Sequence, residues 1–300
     1  MAFRSIYIAN PARLSLWQEQ LVIQQDRKIT VPMEDISEVL IESQMVTVTA
    51  AALQKLTDYG VTVYFCDEKH LPAAMTLPMN RYCRQLKQLK GQISMTQPVR
   101  KRMWQSVVVA KITNQAKCLA YLGKQGAEDL LYFASAVRSG DPDNLEATAA
   151  AKYFPALFGP SFTRGDGTLI NGALNYGYAI VRGAVARNLV THGLEPCLGI
   201  FHHNELNQFN LADDLMEPYR PLVDLFVASQ STSVWEGELC PGLKQQLFHL
   251  TNYMILQGGK QYRLMTAVGR LAESFSRVIR KEEAQLELPE LLPLEAYQYE

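Results

Sequence analysis

The hydrophobic pattern of this 300-residue chain changes once along its length, from short strand-like runs to long segments with helical spacing. Before about residue 75, short apolar or alternating runs are separated by polar turns, which is typical of β-strands. The predicted strands are Ser5–Ile8, Leu14–Leu16, Leu21–Ile23, Val39–Ile41 and Val61–Phe65. One amphipathic helix is predicted at Thr49–Tyr59, with Gly60 just past its C-terminus.

From Met103 onward the apolar residues recur at helical spacing. The predicted helices are Met103–Leu122, Glu128–Val137, Leu145–Tyr153, Gly172–Thr191, Ala212–Val227, Gly242–Ile255 and Tyr262–Lys281. Pro72 and Pro78 place a junction within Leu71–Gly91, and a short linking helix is compatible with that segment. The pattern predicts an α+β fold with a small β-rich domain at residues 1–78 and a larger all-α domain at residues 96–283. Residues 79–95 are predicted to form the junction between them, and residues 284–300 a tail that frays.

Composition indicates an ordinary globular chain, since 48% of residues are hydrophobic and 20% are charged. Five cysteines without a C-x-x-C pair argue against a disulfide framework and a zinc knuckle. The N-terminal residues lack the pattern of a secretory signal, and no run approaches the length of a membrane span. We therefore expect a cytoplasmic protein with no membrane association.

The near-neutral charge of the chain, 29 basic against 30 acidic residues, conceals an asymmetry. No acid occurs between Glu68 and Glu128, an interval of 59 residues that carries eleven basic side chains. Because the field of such a stretch is not cancelled locally, it predicts a surface that binds a polyanion, although a solvated helix face is the ordinary alternative. The residues predicted to bind nucleic acid are Arg81, Arg84, Lys87, Lys90, Arg100, Lys101, Arg102 and Lys111. Trp104 lies among them and is expected to pack in the core.

A cluster of acids follows two adjacent histidines. On a helix, Glu217 shares a face with Asp214 at i−3 and with Asp213 at i−4, so either pair could share a divalent cation. Arg220 could instead neutralise Glu217, and Pro218 is expected to interrupt the helix. The alternative is that these acids form a solvated helix end.

His202, a dozen residues before Asp214, could add an imidazole ligand, although a structural histidine is the usual alternative. Oxygen ligands with one histidine suit Mg²⁺ or Mn²⁺, and the absence of H-E-x-x-H argues against a zincin. A further acid, Glu146, follows the turn Ser139–Asn144, in which Asp141 and Asp143 are natural caps. From spacing alone Glu146 fits a helix N-terminus equally well.

These motifs resemble the CRISPR spacer-acquisition integrase family, the larger of the two adaptation proteins, and most of all the branch found beside single-effector RNA-guided nucleases. The resemblance covers about 280 residues. The matching segments are Arg4–Ile8, Val63–Asp67, Asn144–Ala147, Ile170–Tyr178, Gly193–His202, Asn210–Glu217 and Pro218–Asp224.

The resemblance implies a β-rich N-terminal domain and an all-α catalytic domain. It assigns metal-binding and catalytic roles to Glu146, His202 and Glu217, with His203 as the alternative histidine. Asp214 is either a further metal ligand or a group that supports one, and Asp213 is a weaker match. It also implies a homodimer, and a heterohexamer in which a dimer of the small adaptation partner bridges two such dimers.

The implied reaction is a Mg²⁺- or Mn²⁺-dependent transesterification. In it, a 3′-hydroxyl of a short double-stranded DNA fragment, with possible single-stranded ends, attacks a phosphate of the CRISPR array. Hydrolysis at the same site would appear as endonuclease activity. Two other hypotheses remain open at this point: a non-catalytic DNA-binding scaffold of an adaptation complex, and a metal-dependent phosphoesterase acting on small substrates.

Overall fold

The computed structural model describes residues 4–77, 84–231, 235 and 238–297, and the chain divides into two compact units. Unit 1 contains Met1–Arg81 and Cys240–His249, and unit 2 contains Tyr82–Leu239 and Leu250–Glu300. The strand-rich and helix-rich parts confirm the predicted α+β class. The predicted domain boundary between residues 78 and 79 lies in the segment 78–83, which is outside the described part of the chain.

Unit 1 is built from two four-stranded sheets and two helices. Its strands are β1 (Arg4–Ile8), β2 (Arg13–Trp17), β3 (Gln20–Gln24), β4 (Lys28–Pro32), β5 (Ile36–Ile41), β6 (Thr47–Val48), β7 (Thr62–Cys66) and β8 (Pro72–Met75). One sheet has the order β1-β5-β7-β8, in which the first three strands are parallel, and the other has the order β4-β3-β2-β6. Leu14, Leu21, Val39 and Val63 belong to the core that the two sheets share.

The helix α1 (Ala50–Asp58) begins as predicted, because the Thr49 hydroxyl accepts a hydrogen bond from the Ala52 amide. The five predicted strands of this region are all present, whereas β4, β6 and β8 were not predicted. A second helix of unit 1 comes from much later in the chain. Pro241–His249, which the sequence places in the all-α domain, packs within unit 1, where Phe248 contacts the ring of Tyr64 edge to face.

Unit 2 is helical with one small sheet. Its helices before that sheet are α2 (Gln85–Ile93), α3 (Gln97–Tyr121), α4 (Ala127–Ala136), α5 (Leu145–Phe158), α6 (Leu169–Thr191), α7 (Asn210–Met216) and α8 (Arg220–Ala228). In chain order, the unit 1 helix Pro241–His249 is α9, and the unit 2 helix Leu264–Ile279 is α10. The long helices α3 and α6 contribute buried residues along most of their length, because the shorter helices pack around them.

One feature of unit 2 agrees with the sequence prediction, and two differ from it. The predicted helix Ala212–Val227 is interrupted by a 3₁₀ turn at Glu217–Tyr219, as the position of Pro218 indicated. Two predicted helix ends are instead the strands β9 (Met254–Gln257) and β10 (Lys260–Arg263). The expectation of a frayed tail is wrong: β11 (Pro289–Glu290) pairs with β9, and the side chain of Leu291 is buried.

Among the described residues, no helix is long and apolar enough to cross a membrane.

Candidate active site

Glu146 lies in the first turn of α5, and the loop before it is shaped by two residues with left-handed backbone. Asp141 has φ 48° and Asn144 has φ 52°, a conformation that non-glycine residues adopt rarely and that concentrates at functional sites. The two carboxylate oxygens of Asp141 accept hydrogen bonds from the amides of Leu145 and Glu146 at 2.9 and 3.0 Å. Asp141 therefore caps the helix, as predicted, and fixes the backbone that carries the Glu146 carboxylate.

Glu217 is the first residue of the 3₁₀ turn between α7 and α8. Pro218 carries no amide hydrogen, so the helix cannot continue regularly through it. The Pro218 carbonyl accepts a hydrogen bond from Asn114 Nδ2 of α3 at 2.8 Å. The same nitrogen donates to the Pro289 carbonyl, and Asn114 Oδ1 accepts from the Leu291 amide. One buried amide side chain thus holds the turn that presents Glu217.

Lys111 of α3 brings Glu146 and Glu217 together. Its Nζ lies 2.6 Å from Oε1 of Glu146 and 2.5 Å from Oε2 of Glu217. The side chains of Lys111, Glu146 and Glu217 are only 12%, 20% and 6% exposed, so these charges are poorly screened by water. Glu217 Oε2 accepts no well-aligned hydrogen bond in the described part of the chain, which leaves the ion pair as its contact there.

Arg220 provides the second cation next to Glu217. Its Nε donates to Glu217 Oε1 at 2.8 Å, which is the structural pairing that the i+3 spacing indicated. Its guanidinium lies over the Tyr178 ring, 4.5 Å from the centroid. Burial raises the pKa of Glu217, but the positive charges of Lys111 and Arg220 outweigh it, so the net pKa is lowered. Burial likewise opposes the charge on Lys111, and the two glutamates keep its pKa raised. Glu217 and Lys111 are therefore both ionised.

The loop that carries His202 is wrapped around the buried carboxylate of Asp214. Oδ2 of Asp214 accepts hydrogen bonds from the amides of Ile200 and Phe201 at 2.5 and 3.0 Å. Oδ1 accepts from the His202 amide at 3.1 Å and lies 2.6 Å from the ring Nδ1 of His202. With both oxygens used in this way, Asp214 matches a group that supports a ligand rather than a ligand itself.

Close packing fixes the same loop. A Cβ added at Gly199 would lie 2.0 Å from the His202 carbonyl oxygen and 2.9 Å from Asp214 Oδ2, so only glycine fits there. The Phe201 ring stacks on buried Trp104, with centroids 4.3 Å apart and planes at 1°. Trp104 also contacts the His202 ring edge to face at 5.8 Å, which confirms that this tryptophan packs in the core.

His202 and His203 have different surroundings. The hydrogen bond to Asp214 is the largest of the influences that raise the pKa of His202, burial opposes it, and the charges of Asp214, Glu217 and Glu146 add to it. Because Nδ1 faces Asp214, Nε2 is the ring nitrogen left to bind a ligand. His203 is exposed, and its Nδ1 lies 2.7 Å from the Phe201 carbonyl within its own loop. The structure therefore favours His202 of the two.

Asp213 turns away from this group of residues. Its Oδ2 accepts from Asn207 Nδ2 at 2.7 Å, and its Oδ1 lies 3.9 Å from Arg182. It therefore does not form the shared-face pair with Glu217 that helical spacing allowed.

The chemistry of the donor set fits a divalent cation. Two carboxylates from separate elements already share one positive charge, and a nearby histidine has its Nδ1 held by a carboxylate, the usual arrangement of a metal-bound histidine. Oxygen-rich sites with one imidazole suit Mg²⁺ and Mn²⁺. In the described residues no three His, Cys, Asp or Glu side chains converge as a ready ligand shell, and the Lys111 ammonium lies between the two glutamates.

The model of the CRISPR associated protein Cas1 family matches residues 6–234 of the chain. The CRISPR-associated endonuclease Cas1 of Neisseria meningitidis serogroup C (strain 8013) is 46% identical over 304 residues, with both chains fully covered. The chain belongs to the Cas1 family. The predicted resemblance to this family is thus confirmed. A Cas1 endonuclease of Saccharolobus solfataricus is 27% identical over 76% of this chain and 75% of its own.

Solved structures share the fold of this Cas1-family chain. A casposase bound to integration product matches with a TM-score of 0.78 and 18% identity, covering 96% of this chain and 93% of its own. A Cas1 protein of Thermotoga maritima matches with a TM-score of 0.70 and 12% identity, covering 92% and 97%.

The basic residues of this Cas1-family chain fall into two groups. Five of those predicted to bind nucleic acid are exposed: Arg84, Lys87, Lys90, Lys101 and Arg102. Arg100 instead donates to the carbonyls of Gly199 and Gln92 at 3.0 and 3.3 Å. Lys111 departs most from the prediction of a solvent-facing cation, because the two glutamates hold it in the interior of the site. Arg81 lies outside the described residues.

Lys111 and Asn114 are the site residues whose roles the sequence analysis missed. A signal for Lys111 is present in retrospect, since it is the one charged residue between Arg102 and Lys117 of an otherwise mostly apolar helix segment. A single charge in such a segment indicates a buried residue that has an ionic partner. The partners themselves cannot be read from the sequence, because they lie 35 and 106 residues away.

Proposed function

We propose that this Cas1-family chain is a metal-dependent DNA integrase and endonuclease that inserts short DNA fragments into a CRISPR array. The observation that carries the proposal is that Glu146 and Glu217 contact one cation, and that the charges of both act on His202, whose ring is held by Asp214. A non-catalytic scaffold needs no such group of buried, charged side chains.

The chemical step is a transesterification. The 3′-hydroxyl oxygen of the fragment forms a bond to an array phosphorus, the bond from that phosphorus to the array 3′-oxygen breaks, and the proton lost by the attacking hydroxyl balances the one gained by the leaving oxygen. One phosphodiester is exchanged for another, so no external energy source is required. With water as the nucleophile the same step is hydrolysis.

The proposed roles of the site residues are metal binding and support of the metal ligands. Glu146, Glu217 and Nε2 of His202 would hold a Mg²⁺ or Mn²⁺ ion, which when bound polarises the phosphoryl oxygen and stabilises the charge that develops there. Asp214 holds the His202 ring in the orientation that exposes Nε2. Arg220 fixes one oxygen of Glu217 through a hydrogen bond and cannot readily leave, because its guanidinium stacks on Tyr178.

The exposed cations Arg84, Lys87, Lys90, Lys101 and Arg102 would bind the phosphates of double-stranded DNA, including its single-stranded ends. We also propose that the protein assembles as a homodimer, and that a dimer of the small adaptation partner bridges two such dimers. Support comes from a structural neighbour described as a Cas6-RT-Cas1–Cas2 complex, which matches with a TM-score of 0.68 and 17% identity over 94% of this chain and 35% of its own.

The test is a strand-joining assay with a labelled fragment and a supercoiled plasmid that carries a repeat, together with the small partner protein. With Mg²⁺ or Mn²⁺ we expect joining by the wild-type protein, and with a chelator none. His202→Ala and Glu146→Gln should reduce joining at least about 10²-fold while fragment binding stays within about twofold. His203→Ala is the matched control and should join like wild type. Wild-type joining by His202→Ala, or joining that ignores the chelator, would refute the assignment; binding without joining under all conditions would support the scaffold instead.

A further inference from the structure

The residue that the proposed function leaves unexplained is the buried ammonium of Lys111. It sits between the two carboxylates that the proposed metal would need, at 2.6 and 2.5 Å. Neither oxygen can bind a metal ion strongly while it shares its charge with an ammonium at that distance. The role of Lys111 therefore bears directly on how a metal enters the site, and this inference rests on the proposed function.

The charge balance at the two glutamates disfavours simultaneous binding of the Lys111 ammonium and a divalent metal ion. Lys111 and Arg220 together offset the two negative charges of Glu146 and Glu217. A divalent ion added to that neutral set would leave two uncompensated positive charges in surroundings where charges are poorly screened. Removal of one lysine charge from the set halves that excess.

Lys111 and Arg220 differ in their ability to leave. The Arg220 guanidinium is held by a hydrogen bond to Glu217 and by the Tyr178 ring. Lys111 has ionic contacts to the two glutamates, and its compact ammonium lies at the end of a flexible four-carbon chain. Its side chain also retains 12% exposure, so neighbouring residues do not enclose it completely.

We propose that Lys111 is a positioning residue that substitutes for the metal: in the metal-free protein its ammonium holds Glu146 and Glu217 together, and a divalent cation binds by displacing it. The lysine keeps two like charges adjacent before the metal arrives, and it weakens metal binding because the same contacts must first be broken. Once displaced, the ammonium remains next to the site as a free positive charge.

The direct test is a titration of the metal-free protein with Mn²⁺, in which the electron paramagnetic resonance signal of the free ion measures how much Mn²⁺ has bound. Lys111→Met and Lys111→Gln remove the competing charge and should bind Mn²⁺ about tenfold or more tightly than wild type. Lys111→Arg retains a charge that can pair with both carboxylates and should bind equally or less tightly. Lys117→Met is the matched control on the same helix, where the lysine pairs with exposed Glu290 at 2.9 Å, and should match wild type.

A melting experiment separates this role from a merely structural one. Without metal, Lys111→Met should melt at a lower temperature than wild type, because the two carboxylates then repel each other. Saturating Mn²⁺ should raise its melting temperature by more than that of wild type. Lys111→Gln, which can still donate hydrogen bonds, tests the same point if the methionine variant folds poorly. Equal Mn²⁺ shifts in wild type and both neutral variants would overturn the proposal.

The outcomes also distinguish this inference from the proposed function. If wild type and all Lys111 variants fail to bind Mn²⁺, the metal site itself is wrong and both proposals fall. If wild type binds Mn²⁺ and the neutral variants bind it no more tightly, only the displacement of Lys111 is refuted, and the integrase assignment stands.

Discussion

Each unit of the molecule buries a lysine against carboxylate, but the balance of charges differs. In unit 1, Lys244 Nζ lies 2.8 Å from Oε1 of Glu42, whose other oxygen accepts a hydrogen bond from the Tyr7 hydroxyl. His70 adds a further contact to Glu42 at 3.3 Å. In unit 2, one lysine serves two glutamates. The cluster in unit 1 surrounds the single acid Glu42 with several donors. The cluster in unit 2 pairs the four carboxylate oxygens of two glutamates with two cations, Lys111 and Arg220.

We interpret the difference as that between a structural ion pair and the proposed metal site. A buried carboxylate with all its lone pairs satisfied has nothing further to bind, and its removal costs stability. A pair of carboxylates that shares one removable ammonium remains able to bind a stronger cation. Burial and ion pairing alone would not distinguish the two clusters; the number of carboxylates that share one lysine does.

The largest effect that the comparison predicts is on activity. Glu217→Gln removes one of the two shared acids and should lower strand joining about 10³-fold, because a neutral amide binds a divalent ion poorly. Glu42→Gln, the matched change in unit 1, should leave the joining rate per folded molecule within about twofold. Both are measured in the plasmid-joining assay at equal folded concentration. A comparable loss in the two variants would show that the clusters have the same role.

Most of the fold is predictable from local pattern, and the exceptions have a common cause. Five of the eight strands of unit 1, the cap at Thr49 and the helix interruption at Pro218 follow from periodicity and from the chemistry of single residues. The strands β9 and β10 were missed, although Gly258 and Gly259 occupy their turn with positive φ. Their third partner, β11, lies about thirty residues further along, and such pairing is not visible in local sequence.

The candidate site shows the same division. Single-residue reasoning predicts the Asp141 cap and the pairing of Glu217 with Arg220, because both partners lie within a few residues of each other. It does not predict that Lys111 contacts both glutamates, because three separate elements must first pack together. The exposed-cation interpretation of Lys111 failed for that reason, since α3 is buried on the face that carries it.

The next effect concerns stability. Lys244→Met leaves the Glu42 carboxylate buried without its cation and should destabilise unit 1 by about 3 kcal/mol. We expect faster hydrogen exchange at the amides of β1 and β5, and no recovery on addition of Mn²⁺, in contrast to the predicted rescue of Lys111→Met. Lys260→Met, at an exposed position, is the control and should exchange like wild type. Recovery of Lys244→Met by Mn²⁺ would contradict the distinction between the clusters.

A third buried acid, Asp224, extends the comparison, because its carboxylate contacts tyrosine hydroxyls and not a lysine. Asp224 accepts hydrogen bonds from the hydroxyls of Tyr153 and Tyr178, and burial raises its pKa from 3.8 to about 6. A raised folded pKa means that its contribution to stability is fully present below pH 3.8 and is lost as the pH rises through about 6.

We therefore expect Asp224→Asn to flatten the dependence of unfolding free energy on pH by about 3 kcal/mol across that interval. Denaturant titrations of both proteins at several pH values between roughly 3.5 and 7, which bracket the two pKa values, measure it. Parallel curves for variant and wild type would show that the pKa of Asp224 is the same in the folded and unfolded states.

The smallest predicted effect is on DNA binding by the exposed cations. Lys101→Ala and Arg102→Ala should each weaken fragment binding a few-fold and reduce the slope of log affinity against log salt by about one. Lys260→Ala should change neither quantity. An unchanged salt slope in both single variants and in the double variant would remove these two residues from the DNA surface and leave its location to the remaining exposed cations.

The amide of Asn114 has a consequence for the order of assembly during synthesis. Its hydrogen bonds reach the Pro218 carbonyl across 104 residues and the Pro289 carbonyl across 175. A ribosome delivers Glu146, His202 and Glu217 well before it delivers residues 289–291, so a nascent chain carries every proposed metal-binding residue without the strand that completes the support of the Glu217 turn. The support of the proposed metal site is therefore completed only after residues 289–291 have been synthesised, well after the residues that would bind the metal.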